Sequence, residues 1–78
     1  MSQNKNAIAY VRGPETRGLD LPYEEKFSAF TQAIADAKSK KADIVISAPW
    51  IIGDTYEEII ESLSRLAGAG IALHVAQR

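Results

Sequence analysis

The sequence contains no cysteine, which excludes disulfide bonds and thiolate metal sites. It also has no apolar run near the roughly 20 residues that a membrane-spanning helix needs. Residues 1–6, Met-Ser-Gln-Asn-Lys-Asn, do not have the pattern of a signal peptide. These absences predict a protein of the reducing cytoplasm that has no membrane partner and no metal.

The chain also lacks an excess of charge of either sign. Nine Lys and Arg residues stand against ten Asp and Glu, for a net charge of −1. Phosphate contacts dominate affinity for nucleic acids, and this chain has neither a basic stripe nor a helix-turn-helix or zinc module. We therefore expect no direct DNA binding, and a protein partner is the better prediction.

The 78 residues are enough for one small domain, residues 1–78, with a β-α-β-α-β pattern. The predicted strands are Ala7–Val11, Asp43–Ala48 and Ile71–Val75. The first helix runs from about Pro22 to about Lys41, and the second begins at Asp54 or Thr55. The predicted fold class is α/β, a three-layer arrangement with a parallel sheet of order 2-1-3 and helices on opposite faces.

Each predicted helix has an apolar face and a recognisable end. The first face consists of Phe27, Phe30, Ile34 and Ala37. The second consists of Ile59, Ile60, Leu63, Leu66 and Ala67. Thr55 and Glu58 have the spacing of a capping box, and Glu61 can pair with Arg65.

A domain this small buries only about 60% of its unfolded surface, and a three-stranded sheet has two exposed edges. We therefore predict a homo-oligomer, either a dimer or a tetramer.

The loop after the second strand occupies the place where open α/β sheets usually hold ligands or catalytic groups. It contains Pro49-Trp50-Ile51-Ile52-Gly53, whose side chains cannot act as acids, bases, nucleophiles or metal ligands. We interpret it as a contact surface for a protein, with Trp50 as an aromatic anchor. The predicted protein-binding residues are Trp50, Ile51, Ile52 and Tyr56. For Ile51 and Ile52, burial beneath the second helix is an equally good interpretation.

Six segments, matched in order, resemble the catalytic domain of the resolvase/invertase family of serine recombinases. They are Tyr10-Val11-Arg12, Gly18–Leu21, Ala33–Ala37, Ala42–Ile46, Gly53 with the Ile59-x-x-x-Leu63-x-x-Leu66 helix, and Gly70–Leu73. The resemblance covers most of residues 7–77 and implies a resolvase-like fold.

The chemistry of that family does not carry over. The position of the family's nucleophilic serine is Pro14, and Thr16 is the only hydroxyl between Arg12 and Pro22. In the second motif, Trp50 replaces an acidic residue, while Ile51 and Asp54 replace arginines. Phosphoryl transfer through an oxygen nucleophile needs cations around the phosphate. We therefore expect a truncated, catalytically inactive member of the family that uses no cofactor.

The expected function is protein interaction and regulation in a phage or other mobile element. A candidate role is that of an antirepressor, which binds a DNA-binding repressor and inactivates it. Two alternatives remain. One is a small anion- or nucleotide-binding module that uses Arg12 together with the helix N-terminus at Asp54–Tyr56, although an ion-paired Arg12 is the more ordinary interpretation. The other is a residual enzyme that uses Arg12, Thr16 and Asp54.

His74, the single histidine, is interpreted as structural because no acidic partner is evident.

Overall fold

The computed structural model describes residues 6–76. The chain forms three strands, β1 (Asn6–Ala9), β2 (Ala42–Ile46) and β3 (Leu73–Val75), and three helices, α1 (Tyr23–Lys26), α2 (Ser28–Lys40) and α3 (Tyr56–Ala69). Two short 3-10 turns follow β1 and β2, at Pro14–Thr16 and Pro49–Ile51. None of the helices within this range is long and apolar enough to cross a bilayer.

The strands form one parallel sheet, as predicted, but the predicted order 2-1-3 is wrong. The order is 1-2-3, so β2 is central and pairs with both neighbours. Right-handed crossovers that step in one direction across a sheet place their helices on the same face. Accordingly, α2 and α3 contact each other, and α2 packs on β2. The described residues therefore form two layers instead of the three predicted.

The core lies between the sheet and this single layer of helices. All four residues predicted for the first helical face are buried. They pack with the helix-facing residues of β2, whose side chains alternate along the strand. The buried residues of the core are Phe27, Phe30, Ile34, Ala37, Ile44, Ile46, Ile51, Ile52, Leu66 and Ile71.

The predicted first helix is divided at Phe27, whose backbone angles of φ −114° and ψ 31° are not helical. The amide of Phe27 still donates to the carbonyl of Tyr23, and its own carbonyl accepts from Thr31. The break turns α1 relative to α2 while keeping the Phe27 ring in the core, where it is 2% exposed. As a result, Lys26 of α1 is also buried and points towards the start of α3.

Helix α3 has the predicted start but only part of the predicted buried face: Leu66 lies in the core and Ile59 packs against it, but Ala67 is exposed. Thr55 and Glu58 form the capping box, and Gly70 ends the helix with φ 72°. Ser62, however, is fully buried, whereas Ile60 and Leu63 are 43% and 40% exposed. The Ser62 hydroxyl donates to the carbonyl of Ile52 and accepts from the Tyr23 hydroxyl. These two bonds satisfy the buried hydroxyl and hold the helix in a rotation that the apolar pattern did not predict.

The second face of the sheet carries no helix within residues 6–76. Ala7, Ala9 and His74 on this face are exposed. His74 there lies beside Asp43, with 3.1 Å between Nε2 and Oδ2, so the lone histidine has an acidic neighbour. Asp43 also accepts from the amide of Ala72. This pair ties β2 to β3.

Candidate functional site

Arg12 lies at the carboxyl edge of the sheet, just beyond β1, and is only 3% exposed. Its guanidinium makes five hydrogen bonds, one for each N–H donor that an arginine has. Nε donates to the hydroxyl of Thr16, Nη1 to the Trp50 carbonyl and Asp54 Oδ1, and Nη2 to the Thr16 carbonyl and Asp54 Oδ2. The two bonds to Asp54, of 2.8 and 2.9 Å, form a bidentate ion pair.

Asp54 connects this arginine to a second buried cation, Lys26. Its Oδ2 lies 2.8 Å from Lys26 Nζ and also accepts from the amide of Gly18 at 2.8 Å. Lys26 Nζ is in turn 2.9 Å from Glu58 Oε2, while Glu58 Oε1 accepts from the amide of Asp54. We call Arg12, Lys26, Asp54 and Glu58 the ion-pair cluster. It holds two positive and two negative charges and is therefore neutral.

The cluster shifts the pKa values of Asp54, Glu58 and Lys26 in the direction that favours their charged forms. Hydrogen bonds from Arg12 hold the pKa of Asp54 far below its ordinary value, against the opposing effect of burial. Burial raises the pKa of Glu58, but the bonds from Lys26 and from the Asp54 amide outweigh it and leave that pKa lowered. The hydrogen bond to Asp54 raises the pKa of Lys26. Asp54, Glu58 and Lys26 are thus charged near neutral pH.

Trp50 is partly buried, because two guanidinium groups lie against its ring. Arg17 Cζ is 4.8 Å from the ring centroid, and Arg12 Cζ is 5.6 Å away. Such cation–π contacts are worth about 0.5–1 kcal/mol at exposed sites and more where water is excluded. The Trp50 ring is therefore packed against the cluster, although part of it still reaches solvent.

The four residues predicted to bind a protein occupy different environments. Tyr56 is 75% exposed, and Trp50 is partly exposed. For Ile51 and Ile52 the surface interpretation is wrong: they are 1% and 3% exposed and belong to the core. The 3-10 turn at Pro49–Ile51 reverses the chain directly above β2, so both isoleucines point under α3.

The hydrogen bonds of Arg12 and Thr16 leave Arg12 poorly available to bind an anion and Thr16 poorly placed to act as a nucleophile. An anion would have to displace the Asp54 carboxylate to reach Arg12, because every guanidinium donor is already engaged. The Thr16 hydroxyl donates to the carbonyl of Gly13 and accepts from Arg12. Both Asp54 oxygens are bound by cations, so the carboxylate is poorly placed to remove a proton from Thr16. Within residues 6–76, no group of three His, Asp or Glu side chains is arranged to hold a metal ion.

Sequence reasoning identified Arg12 and Asp54 but missed two members of the cluster. Glu58 was interpreted only as part of the capping box, yet its second oxygen binds Lys26. Lys26 does carry a signal, because it lies one turn before Phe30 on the apolar side of the predicted helix. A lysine at such a position needs a buried acidic partner. The position of Lys26 in the sequence does not indicate that its acidic partner, Glu58, comes from α3.

Comparisons with protein-family models, with curated proteins and with solved structures find no match to this chain. The resemblance to serine recombinases therefore rests on the six sequence segments alone.

Proposed function

We propose that this protein is a non-catalytic interaction protein that regulates a DNA-binding partner. One observation carries the proposal: at the sheet edge where α/β proteins usually place their chemistry, all five Arg12 donors are engaged inside the protein. A guanidinium that stabilises a transferring phosphoryl group must have donors free for it. The cluster instead supports the fold and a rim that includes Trp50 and Tyr56.

The rim supports the idea of a protein partner. Tyr56 is 75% exposed in the first turn of α3, and Trp50 lies in the loop that leads to it. Aromatic side chains with a polar edge are over-represented among residues that dominate protein–protein binding energy. Arg17, stacked on Trp50, adds a charged group that favours an acidic patch on the partner.

The resemblance to serine recombinases supplies the proposed context, a phage or another mobile element. In that setting we propose that the partner is a repressor and that the protein acts as an antirepressor. The strand order 1-2-3 differs from the order expected of a resolvase-like fold. The proposal of an inactive chain therefore depends on the ion-pair cluster and not on the resemblance.

The test is a mixture of the purified protein with the repressor encoded beside its gene. We expect a stable complex on size exclusion and loss of the repressor's shift of its operator DNA. Tyr56→Ala should weaken both effects about tenfold or more, as truncation of an anchor residue does. Lys40→Ala is the control, because Lys40 is exposed at the end of α2, just before β2, and so lies at the opposite edge of the sheet from Tyr56. Unchanged operator binding with every co-encoded repressor would contradict the proposal.

A further inference from the structure

Helix α3 carries an apolar strip that the fold leaves exposed. Tyr56 is 75% exposed, Ile60 43% and Leu63 40%, and Ala67 is also exposed. Their spacing of four, three and four residues is the spacing of the apolar positions in a two-helix coiled coil. We call these four residues the α3 seam.

The seam faces away from the rest of the helical layer. Glu58 binds Lys26 of α1, and Arg65 stacks on Tyr23 of α1 with Cζ 4.7 Å from the ring centroid. At about 100° per residue, the centre of the seam lies roughly 180° around the helix from these two residues. Within the described residues, neither α1 nor α2 can therefore cover it.

We propose that the α3 seam binds the same seam of a second copy, with the two α3 helices antiparallel. The proposal goes beyond the regulatory function, because it concerns the isolated protein. Tyr56 belongs to both proposed surfaces, so we expect the dimer and the repressor complex to compete for it. The order of spacings reads the same in both directions along the helix, so a two-fold axis between Ile60 and Leu63 aligns the two seams. Ile60 of each copy then lies opposite Leu63 of the other, and Tyr56 lies opposite Ala67.

Side-chain size favours the antiparallel arrangement over the parallel one. Opposing Tyr56 with Ala67 places the largest member of the seam against the smallest at both ends, so that the helices remain evenly spaced. A parallel pair would oppose two tyrosines at one end and two alanines at the other. That arrangement would force the helices apart at one end and leave a gap at the other, where close packing is lost.

The charges beside the seam agree with this orientation. Glu57 lies beside the seam in the first turn of α3, and an antiparallel pair keeps the Glu57 side chains of the two copies at opposite ends. Glu57 then flanks Ser64 of the second copy, and both residues are exposed. A serine hydroxyl can donate to a glutamate carboxylate, whereas two facing carboxylates would repel each other.

The size of the surface sets the expected strength. The 14 residues of α3 span about 21 Å, so a contact along this helix alone is at the small end of specific interfaces. We therefore expect a dimer that dissociates in the micromolar range.

The first experiment is sedimentation velocity of the full chain, without any partner, from about 5 to 500 μM. We expect a concentration-dependent shift from monomer to dimer, and Leu63→Arg should weaken the dimer at least tenfold. Leu19→Arg is the matched control, because Leu19 is 43% exposed in the loop between β1 and α1 and its replacement should leave the dimer unchanged. A monomer at all concentrations, or a dimer that resists Leu63→Arg, overturns the proposal.

The second experiment tests orientation and uses the absence of cysteine. Tyr56→Cys and Ala67→Cys proteins, mixed and oxidised, should form a disulfide-linked dimer of one of each. Tyr56→Cys alone should not crosslink, because the two sites would lie about 16 Å apart along the axis. Efficient crosslinking of Tyr56→Cys with itself would overturn the antiparallel arrangement. Both experiments use the isolated protein. Their failure would contradict the dimer but not the proposed binding of a repressor, which the gel-shift experiment tests separately.

Discussion

The two sides of helix α3 have opposite environments, one buried among charged groups and the other exposed and apolar. On one side, Glu58 joins Asp54 and two buried cations in a cluster whose members bond one another and nearby groups of the protein. On the other side, the four residues of the α3 seam remain in contact with water.

The difference shows where function is to be sought in a small domain. A buried charge that has lost its water needs partners inside the fold, and once it has them it has little left for a substrate. An exposed apolar side chain gains free energy only by contact with something else. In this protein the charged residues at the usual catalytic position bond one another inside the fold, and the binding surface that we propose is the exposed apolar one.

The largest expected effect comes from opening the ion-pair cluster. Asp54→Ala would leave Arg12 and Lys26 buried without their shared carboxylate, and should lower the free energy of unfolding by about 3–5 kcal/mol. Urea unfolding measured by circular dichroism would show it. Asp36→Ala is the control, because Asp36 is exposed on α2, where it accepts from the Gln32 side chain, so its effect should be small. Equal effects of the two substitutions would contradict a structural role for the cluster.

Gly53, in the loop after β2, lies close to the backbone of α3, and this contact gives a second test. A Cβ atom at Gly53 would lie 2.6 Å from the Ile59 nitrogen and 2.9 Å from the Glu58 carbonyl carbon, both of them backbone atoms. Gly53→Ala should therefore displace the start of α3 and cost about 1–3 kcal/mol. Gly68→Ala, where a Cβ meets nothing within 4 Å, should instead stabilise the helix by about 0.5–1 kcal/mol. A tolerated Gly53→Ala would mean that the loop and helix can separate without loss.

Acid should weaken the protein through the same cluster. Asp54 and Glu58 have pKa values below their ordinary values of 3.8 and 4.5 in the folded protein, because cations and amides donate to them. The unfolded chain then binds protons more readily, so stability is complete above about pH 5 and declines as pH falls through the lowered pKa values. Urea midpoints between pH 7 and pH 3 would measure this, and Asp54→Asn should flatten the decline. An equally steep decline in that variant would assign it to other carboxylates.

The smallest expected effect lies on the α3 seam. Ile60→Ala, studied at a concentration where the protein is monomeric, should change the free energy of unfolding by about 1 kcal/mol or less. The side chain is 43% exposed, and alanine is the better helix former. Ile44→Ala in the central strand should cost about 2–5 kcal/mol, because that residue is fully buried. Similar losses at the two positions would mean that the seam is part of the monomer's own core.

Local sequence patterns predicted the elements well, for reasons that act over short distances. Thr55 and Glu58 form the capping box, and Glu61 Oε2 lies 2.8 Å from Arg65 Nε. The buried face of α2 also agrees with the prediction. Each of these features depends on interactions between residues within one or two turns of each other, so a short stretch of sequence is enough to predict it.

Long-range arrangement was predicted poorly. The predicted order 2-1-3 would place β1 between Asp43 and His74. In the order 1-2-3 the two residues lie on adjacent strands, 3.1 Å apart. The rotation of α3 was missed in a similar way, because the bonds of Ser62 to Ile52 and Tyr23 outweigh the apolar pattern of the helix.

The order of residues alone was enough to predict an α/β unit, the three strands found within residues 6–76, the capping box of α3, and the lack of a serine at the position that the recombinase motif would assign to the nucleophile. Spacing, capping and composition act locally, so these features are visible in the order of residues. Only the tertiary structure decided that Arg12 is enclosed by Asp54 and that Ile60 and Leu63 face water. Both outcomes depend on which strand is central and how α3 is rotated, and these are settled by contacts between residues far apart in the chain.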